Sequence, residues 1–284
     1  MEIPRNLAEM LEQRAVVLFL GSGASLGAQH PEKKEIVMGD GLAKLIAQRF
    51  LSEEYYGEGL EYTAGMAISA SSMFEVQSFI KNYLSEFEPS VFHSNIADLA
   101  WDSIFTLNYD LIIEKSYEKN KNRVQNIIPF FDNEDKFELK IKNNRDLPFY
   151  KLHGCITRSE DKKLPFILST EQYITHLENR ESLFNTLYEK AYRNSIVYIG
   201  TSLRDSDIRT IMLKVIQESK GGHARSYLVT PNPRKFDYDY WGERKITILE
   251  GSFEEFLDSA KKAISKNSIM LSLHINNDNS RHPL

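Results

Sequence analysis

Short apolar runs along the chain alternate with segments in which apolar residues recur every three or four positions. Runs typical of buried strands lie at 15–20, 103–107, 127–131, 149–153, 195–200, 226–230 and 245–249. Helical spacing separates many of them and is clearest between 208 and 216, where the apolar residues share one face. Strands that alternate with helices predict an α/β fold with a Rossmann-like, doubly wound parallel sheet.

Three regions depart from this alternation. Residues from about 39 to 100 keep a helical pattern without an alternating strand, which predicts a helical insertion over the sheet. The apolar residues 166–169 lie between two predicted strands and indicate a short hairpin. The chain becomes polar beyond 266, so we expect one domain over 1–266 and a tail or linker over 267–284.

Composition and charge exclude several classes of protein. The net charge of −5 offers no basic field, so we expect neither nucleic acid nor a membrane as a partner. Cys155 is the single cysteine, which excludes an intramolecular disulfide and any multi-cysteine zinc site. No apolar run reaches the roughly 18 residues that a membrane span needs, and no secretory signal precedes the first strand. These features predict a soluble, cytoplasmic protein.

Four short polar segments follow predicted strands. They are G-S-G-A-S at 21–25, T-L-N-Y-D at 106–110, K-L-H-G at 151–154 and G-T-S-L at 200–203. Because the carboxyl ends of parallel strands meet at one edge of a sheet, we expect the four segments to lie together. A glycine loop, an amide, an imidazole and hydroxyl groups at one edge predict a nucleotide site that contains a general base.

The first segment supplies the candidate phosphate loop. Gly21 and Gly23 permit a tight turn and a close approach of the backbone to a pyrophosphate, and a helix is expected to start here. The hydroxyl groups of Ser22 and Ser25 add donors on either side of Ala24. A glycine pair after a strand is also common in ordinary turns, so this loop gains weight only from the other segments.

The remaining segments supply the other candidates. Asn108 and His153 follow strands, although an asparagine there often caps the next helix and a lone histidine is more often structural. The small residues at 200–202 follow another strand and suit hydrogen bonds to ribose or phosphate. The T-P-N segment at 230–232 is typical of a proline turn, and it could also contact an adenosine ribose. These candidates are Gly200, Thr201, Ser202 and Asn232. The histidines show no metal-ligand spacing, so the sequence predicts no metal site.

The order of the four segments resembles the SIR2 (sirtuin) superfamily over roughly residues 10 to 255. The family's glycine loop falls on 21–23, its T-Q-N-x-D motif on 106–110 with Leu107 in place of glutamine, and its ribose loop on 200–202. Its catalytic histidine falls on His153. The resemblance implies a catalytic domain that binds NAD in a Rossmann-like fold.

Two departures from sirtuin deacylases narrow the resemblance. Those enzymes carry a four-cysteine zinc ribbon between the H-G and G-T-S segments, whereas only Cys155 lies there, so we expect no zinc. Nothing at 26–40 matches their P-D-F-R-like run. Without both, the sequence is similar to the bacterial SIR2-like effectors of antiphage defence, the Thoeris type and its relatives, which consume NAD.

The resemblance implies hydrolysis of NAD to ADP-ribose and nicotinamide, with depletion of NAD in an abortive antiphage response. His153 would act as the base on a ribose hydroxyl or water, and Asn108 would position the nicotinamide ribose and the attacking water. Asp110 would hydrogen-bond the nicotinamide carboxamide. Family members are held in check by assembly, a nucleotide signal or a partner, so we expect a homo-oligomer, a regulatory partner protein from the same defence system, or both.

Two other functions fit parts of the sequence. A module that senses NAD or ADP-ribose without turnover would need the nucleotide loops but neither Asn108 nor His153. A protein deacylase that works without zinc is disfavoured by the missing ribbon.

Overall fold

The computed structural model describes residues 1–37 and 39–264. All neighbouring strands in its seven-stranded sheet are parallel, in the order β3-β4-β2-β1-β5-β6-β7. The strands are β1 Val16–Leu20, β2 Ser103–Thr106, β3 Asn126–Phe130, β4 Asp146–Lys151, β5 Ser195–Ile199, β6 Ser226–Thr230 and β7 Ile246–Glu250. This architecture confirms the predicted doubly wound α/β fold.

Helices connect the strands and cover both faces of the sheet. They are α1 Arg5–Glu12, α2 Gly39–Phe50, α3 Leu60–Ala70, α4 Met73–Ser85, α5 Ile112–Lys119, α6 Phe137–Lys140, α7 Thr170–Thr175, α8 Leu177–Arg193, α9 Ser206–Glu218, α10 Lys235–Gly242 and α11 at 253–264. The segment between β1 and β2 is helical, while the predicted tail at 267–284 lies outside the described residues. No helix in the described part of the chain is long and apolar enough to cross a membrane.

The central strand β1 divides the core between the two faces of the sheet. Leu18 packs on one face in a cluster with residues of α1, α5 and α11, and Phe19 packs on the other with residues of α8 and α9. All five side chains of β1 are buried, as its unbroken apolar run predicts for a strand covered on both faces. A third cluster joins α2, α3 and α4 to the start of α5.

The registers of the central strands place the four polar segments at one level. Leu20 pairs with Thr106 on one side and with Ile199 on the other, and Thr106 pairs with Lys151. Each of these residues is the last of its strand. The segments therefore leave the sheet side by side around β1, where the strand order reverses and α/β folds bind their ligands.

Two local predictions were wrong. The glycine loop enters a single 3-10 turn, Ser22–Ser25, and no α-helix starts there. Residues 166–169 form no hairpin, because partners other than a strand bind their backbone groups: Phe166 N–H donates to Gln77 Oε1 at 2.8 Å, and Ile167 N–H donates to His153 O at 3.0 Å. Instead, this segment lies against His153, one of the candidate site residues.

Candidate functional site

An open cavity of about 500 Å3 lies at the carboxyl ends of β1, β2, β4 and β5. All four polar segments reach it, as their positions after parallel strands predict. Its lining includes Gly21, Ser22, Ser25, Asn108, Asp110, His153, Gly200, Thr201 and Ser202. The structure therefore brings nine of the twelve predicted site residues to one cavity.

The two glycine loops pack directly against each other. Gly21 N–H donates to Ile199 O at 2.9 Å, and Gly23 N–H donates to Gly200 O at 2.8 Å. A Cβ on Gly200 would lie 2.1 Å from Ala24 N, and Gly200 also has a left-handed φ of +67°. The glycines are thus required by contact between the loops, in addition to any approach of a phosphate.

Asn108 is buried and its amide is fixed in one orientation. Its Nδ2 donates to Gly21 O at 3.0 Å and to Ser25 Oγ at 3.1 Å, and its backbone N–H donates to Thr106 Oγ1 at 3.0 Å. Both amide hydrogens are used, so Oδ1 is the atom of this side chain that is left for a ligand. Asn108 does not cap the next helix, which was the alternative role.

Asp110 closes this hydrogen-bond network. Its Oδ2 accepts from Ser25 Oγ at 2.7 Å, and its Oδ1 accepts from Ile112 N–H at 2.9 Å, at the start of α5. The buried carboxylate therefore holds the glycine loop and the helix start together. Its expected contact with a carboxamide stays a prediction.

His153 occupies a different kind of environment. It is 3% exposed, and its Nε2 has no hydrogen-bond partner among the described residues. Asp205 Oδ2 lies 3.8 Å from that nitrogen and accepts a hydrogen bond from Tyr173 Oη at 3.0 Å. Burial lowers the pKa of His153 to about 4, although the negative charges of Asp205 and Asp207 act to raise it. The imidazole is therefore neutral at neutral pH.

Backbone conformation also places His153. Gly154 follows it with a φ of +106°, which a residue with a side chain rarely adopts, and its Cβ position lies 3.2 Å from the Phe166 ring. Tyr109 stacks on that ring with 5.0 Å between centroids and donates from its hydroxyl to Ile167 O at 2.7 Å. Residues 166–169, which were predicted to form a hairpin, therefore pack beside His153 and hold its backbone in place.

Sequence reasoning missed His93, which supports the glycine loop from the 3-10 segment Val91–Asp98. Its Nε2 lies 3.1 Å from Ala24 O, and its Nδ1 accepts from Ser90 N–H at 3.1 Å. Because a carbonyl only accepts, the proton sits on Nε2 of a neutral ring. Burial lowers the pKa of His93 to about 4.

Sequence reasoning also missed the residues that line the far side of His153. Asp205 and Asp207 follow the G-T-S-L segment at the start of α9, where acidic residues are common because they favour the positive end of the helix dipole. Tyr173 and His176 come from α7 and the residue after it. No motif marks them, since their distance from His153 along the chain is arbitrary.

Two further cavities adjoin the first, and Thr201 and Ser202 line all three. The second, of about 520 Å3, is lined by Gly23, Gly27 and apolar side chains that include Phe92 and Phe253. Asn232 lies in the third, of about 490 Å3, among arginines 204, 209 and 234. Asn232 is thus not brought together with Asn108 and His153, and Ala24 is buried beneath the loop.

Comparisons with known proteins agree with this architecture. A family model described as a SIR2-like domain matches residues 102–249. The NAD(+) hydrolase ThsA of Cytobacillus dafuensis is 29% identical over 140 residues, which are 49% of this chain and 26% of that protein. The chain thus matches about a quarter of the length of this curated relative.

Solved structures of Sir2 proteins share the fold. A Sir2 homologue in complex with NAD has 14% sequence identity and a TM-score of 0.53, with 94% of this chain and 95% of that chain covered. A structure from work on the mechanism and regulation of Sir2 enzymes has 15% identity and a TM-score of 0.52, with 93% and 97% covered. With the family match over more than half of its length, the chain belongs to the SIR2-like domain family.

Proposed function

We propose that this protein hydrolyses NAD+ at the nicotinamide N-glycosidic bond. The observation that carries the proposal is an oriented asparagine beside a buried, neutral histidine, both of which line the cavity that the two glycine loops also line. No described residue binds the Nε2 of this histidine. A general base needs such a free nitrogen close to the proton that it accepts. The ThsA relative is an NAD(+) hydrolase, which supports the same reaction.

The proposed reaction needs little from the protein beyond position and one base. The C–N bond of the nicotinamide ribose breaks, its electron pair leaves with neutral nicotinamide, and a cationic sugar remains. Water then adds to the sugar carbon, and His153 Nε2 takes the proton from that water directly or through a ribose hydroxyl. Asn108 Oδ1 accepts a hydrogen bond from the water or ribose and so fixes the line of attack.

The first cavity and the adjoining second cavity offer room for the dinucleotide. We place the nicotinamide ribose in the first cavity, which Asn108 and His153 line. The pyrophosphate would then lie along Ser22, Thr201 and Ser202, and the adenosine would enter the more apolar second cavity. Asn232 directly follows Pro231, which lines the second cavity, and so remains the candidate for a contact at its rim.

The proposal is tested by a time course of NAD against purified protein. His153→Ala and Asn108→Ala should each lower the rate of NAD loss by about 100-fold or more, since removal of a base typically costs 10²–10⁴-fold. His223→Ala and Asn122→Ala are the matched controls, because these residues lie outside the three cavities. Near-full activity in either site variant would refute the assignment.

A non-hydrolysing sensor of NAD or ADP-ribose is the second candidate. If NAD stays intact at high protein concentration while it protects the chain against thermal unfolding, the sensor is supported and the hydrolase is not.

We further propose a cellular role in antiphage defence by NAD depletion, under the control of a homo-oligomer or a partner protein. This rests on the resemblance to SIR2-like effectors and on a relative of which only about a quarter is matched. The test is the NAD content of bacteria that express the chain, with and without phage, compared with His153→Ala. An NAD content that never differs between the two strains would remove this role.

A further inference from the structure

Two carboxylates converge on the imidazole of the proposed base. One ring nitrogen of His153 and one carboxylate oxygen each of Asp205 and Asp207 lie within 4.8 Å of one another, and His153 Nε2 is 3.8 Å from Asp205 Oδ2. The side chain of His153 is 4% exposed, and those of Asp205 and Asp207 are 12% and 25% exposed. Such a set of buried and half-buried donors has the composition of a cation site.

Two atoms of this cluster lack a hydrogen-bond partner. His153 Nε2 and Asp207 Oδ2 are both buried from solvent, and no described residue donates to or accepts from either. An unpaired buried polar atom destabilises a fold, so two such atoms in one cluster call for an explanation. A ligand that binds both atoms supplies it.

The third member, Asp205, is oriented by hydrogen bonds, as the carboxylates that bind metals usually are. Asp205 Oδ1 accepts from the N–H groups of Asp207 and Ile208 at 3.1 and 3.2 Å, while Oδ2 accepts from Tyr173 Oη. These bonds orient the carboxylate before anything binds.

A second histidine stands behind Asp207. His176 Nδ1 donates to Tyr173 O at 2.7 Å, and His176 Nε2 lies 3.2 Å from Asp207 Oδ2 without hydrogen-bond geometry. A neutral ring with its proton on Nδ1 has a lone pair at Nε2, so this nitrogen donates to Asp207 Oδ2 only when the ring is cationic. In that form His176 is an outer partner that orients Asp207.

The spacing fits a divalent first-row transition metal. Metal–ligand bonds of about 2.0–2.1 Å in a tetrahedral site place neighbouring ligand atoms about 3.3 Å apart. His153 Nε2 and Asp205 Oδ2 are 3.8 Å apart and all three ligand atoms lie within 4.8 Å, so the separations must shorten by up to about 1.5 Å when a metal binds. Three protein ligands leave a fourth position for water, as in open zinc sites. The sequence predicts no such site, because these residues follow no known ligand spacing.

We propose that His153, Asp205 and Asp207 bind a divalent transition-metal cation of the zinc class, and that this cation holds the enzyme inactive. The metal uses the lone pair of His153 Nε2, which is the atom that must accept a proton during hydrolysis. The inhibitory consequence rests on the proposed function, whereas the binding site does not. Metal and substrate thus compete for one nitrogen.

Binding is tested without NAD, on the full chain after treatment with a chelator. Titration with Co2+ should give a saturable visible absorption at one equivalent, which Zn2+ then displaces. Asp207→Asn keeps the size of the side chain and should weaken binding about 10-fold or more, and His153→Ala should abolish it. Glu178→Gln is the control: it removes one negative charge, as Asp207→Asn does, but from an exposed side chain at the start of α8. This variant should bind cobalt like the wild type.

The absence of a cobalt signal, or an equal signal in Asp207→Asn, overturns the metal site. Activity is measured separately: Zn2+ should stop NAD loss in the wild type, a chelator should restore it, and Asp207→Asn should resist inhibition. Binding without inhibition of an active enzyme overturns the regulatory part. A protein that binds cobalt but never consumes NAD contradicts the proposed function alone, and one that consumes NAD but binds no cobalt contradicts the metal site alone.

Discussion

The two halves of the candidate site differ in how completely their polar atoms are bonded. On the β1 side, Asn108, Ser25 and Asp110 form a closed network in which the amide hydrogens and both carboxylate oxygens have partners. Around His153, by contrast, His153 Nε2 and Asp207 Oδ2 are buried and have no hydrogen-bond partner among the described residues. A satisfied network fixes geometry, while unpaired buried atoms are available for chemistry or for a ligand. One half is therefore scaffold and the other is reactive.

The strongest way to break the scaffold half is Gly200→Ala. The added methyl would lie 2.1 Å from Ala24 N on a residue with a left-handed φ, so the two loops must separate. We expect a loss of stability on the order of 3 kcal/mol or more, with loss of NAD hydrolysis, in denaturant unfolding and activity assays. Gly242→Ala is the control, since a Cβ there meets nothing within 4 Å. Equal unfolding free energies in the two variants would contradict the loop contact.

Lys151→Met tests the support beneath the scaffold. Lys151 is fully buried at the end of β4 and donates to Asp110 O and, at 2.9 Å, to Glu114 Oε1. Removing one partner of a buried pair destabilises by about 3–5 kcal/mol, measured by urea unfolding. The double variant with Glu114→Leu should recover part of that loss, because no unpaired charge is left. If the double variant is no more stable than the single, the pair does not act as a unit.

Apolar replacement should change the free energy of unfolding more in the scaffold half than in the reactive half. Asn108→Leu removes the amide that donates to Gly21 O and to Ser25 Oγ, so we expect a loss of about 2 kcal/mol. His153→Leu removes an atom that had no partner and should change the free energy of unfolding by less than about 1 kcal/mol. Both should abolish NAD hydrolysis. Equal destabilisation by the two substitutions would erase the distinction between scaffold and reactive half.

The smallest effect concerns pH and His93. Its pKa in the folded protein is about 4, below the ordinary value of 6.5, because of burial. The unfolded chain therefore binds a proton between these values and the folded chain does not, so stability is full above pH 6.5 and falls as the pH drops toward 4. At pH 5.5 the loss from this group is about 1 kcal/mol. His93→Gln should flatten the fall of unfolding free energy between pH 7 and 5.5, and an unchanged slope would contradict the prediction.

Local patterns in the sequence were enough for the framework of the fold. The run Val16–Leu20 is apolar without interruption, which is what a strand covered on both faces requires. The alternation of strands and helices predicted the parallel sheet, and the order of motifs predicted the family. The prediction failed at 166–169, where an apolar run of strand length has its backbone bound by Gln77 and His153.

What the sequence determined by itself is therefore the sheet, its edge and the residues that leave it, since each depends on spacing within a few positions and on the geometry common to parallel strands. Tertiary structure alone decided that Gly200 must lack a side chain, that Asn108 turns its Nδ2 toward Gly21, and that Asp205 and Asp207 converge on His153. These features depend on contacts between residues far apart in the chain. No local pattern encodes such distances, because they are set only when the strands pair and the helices pack.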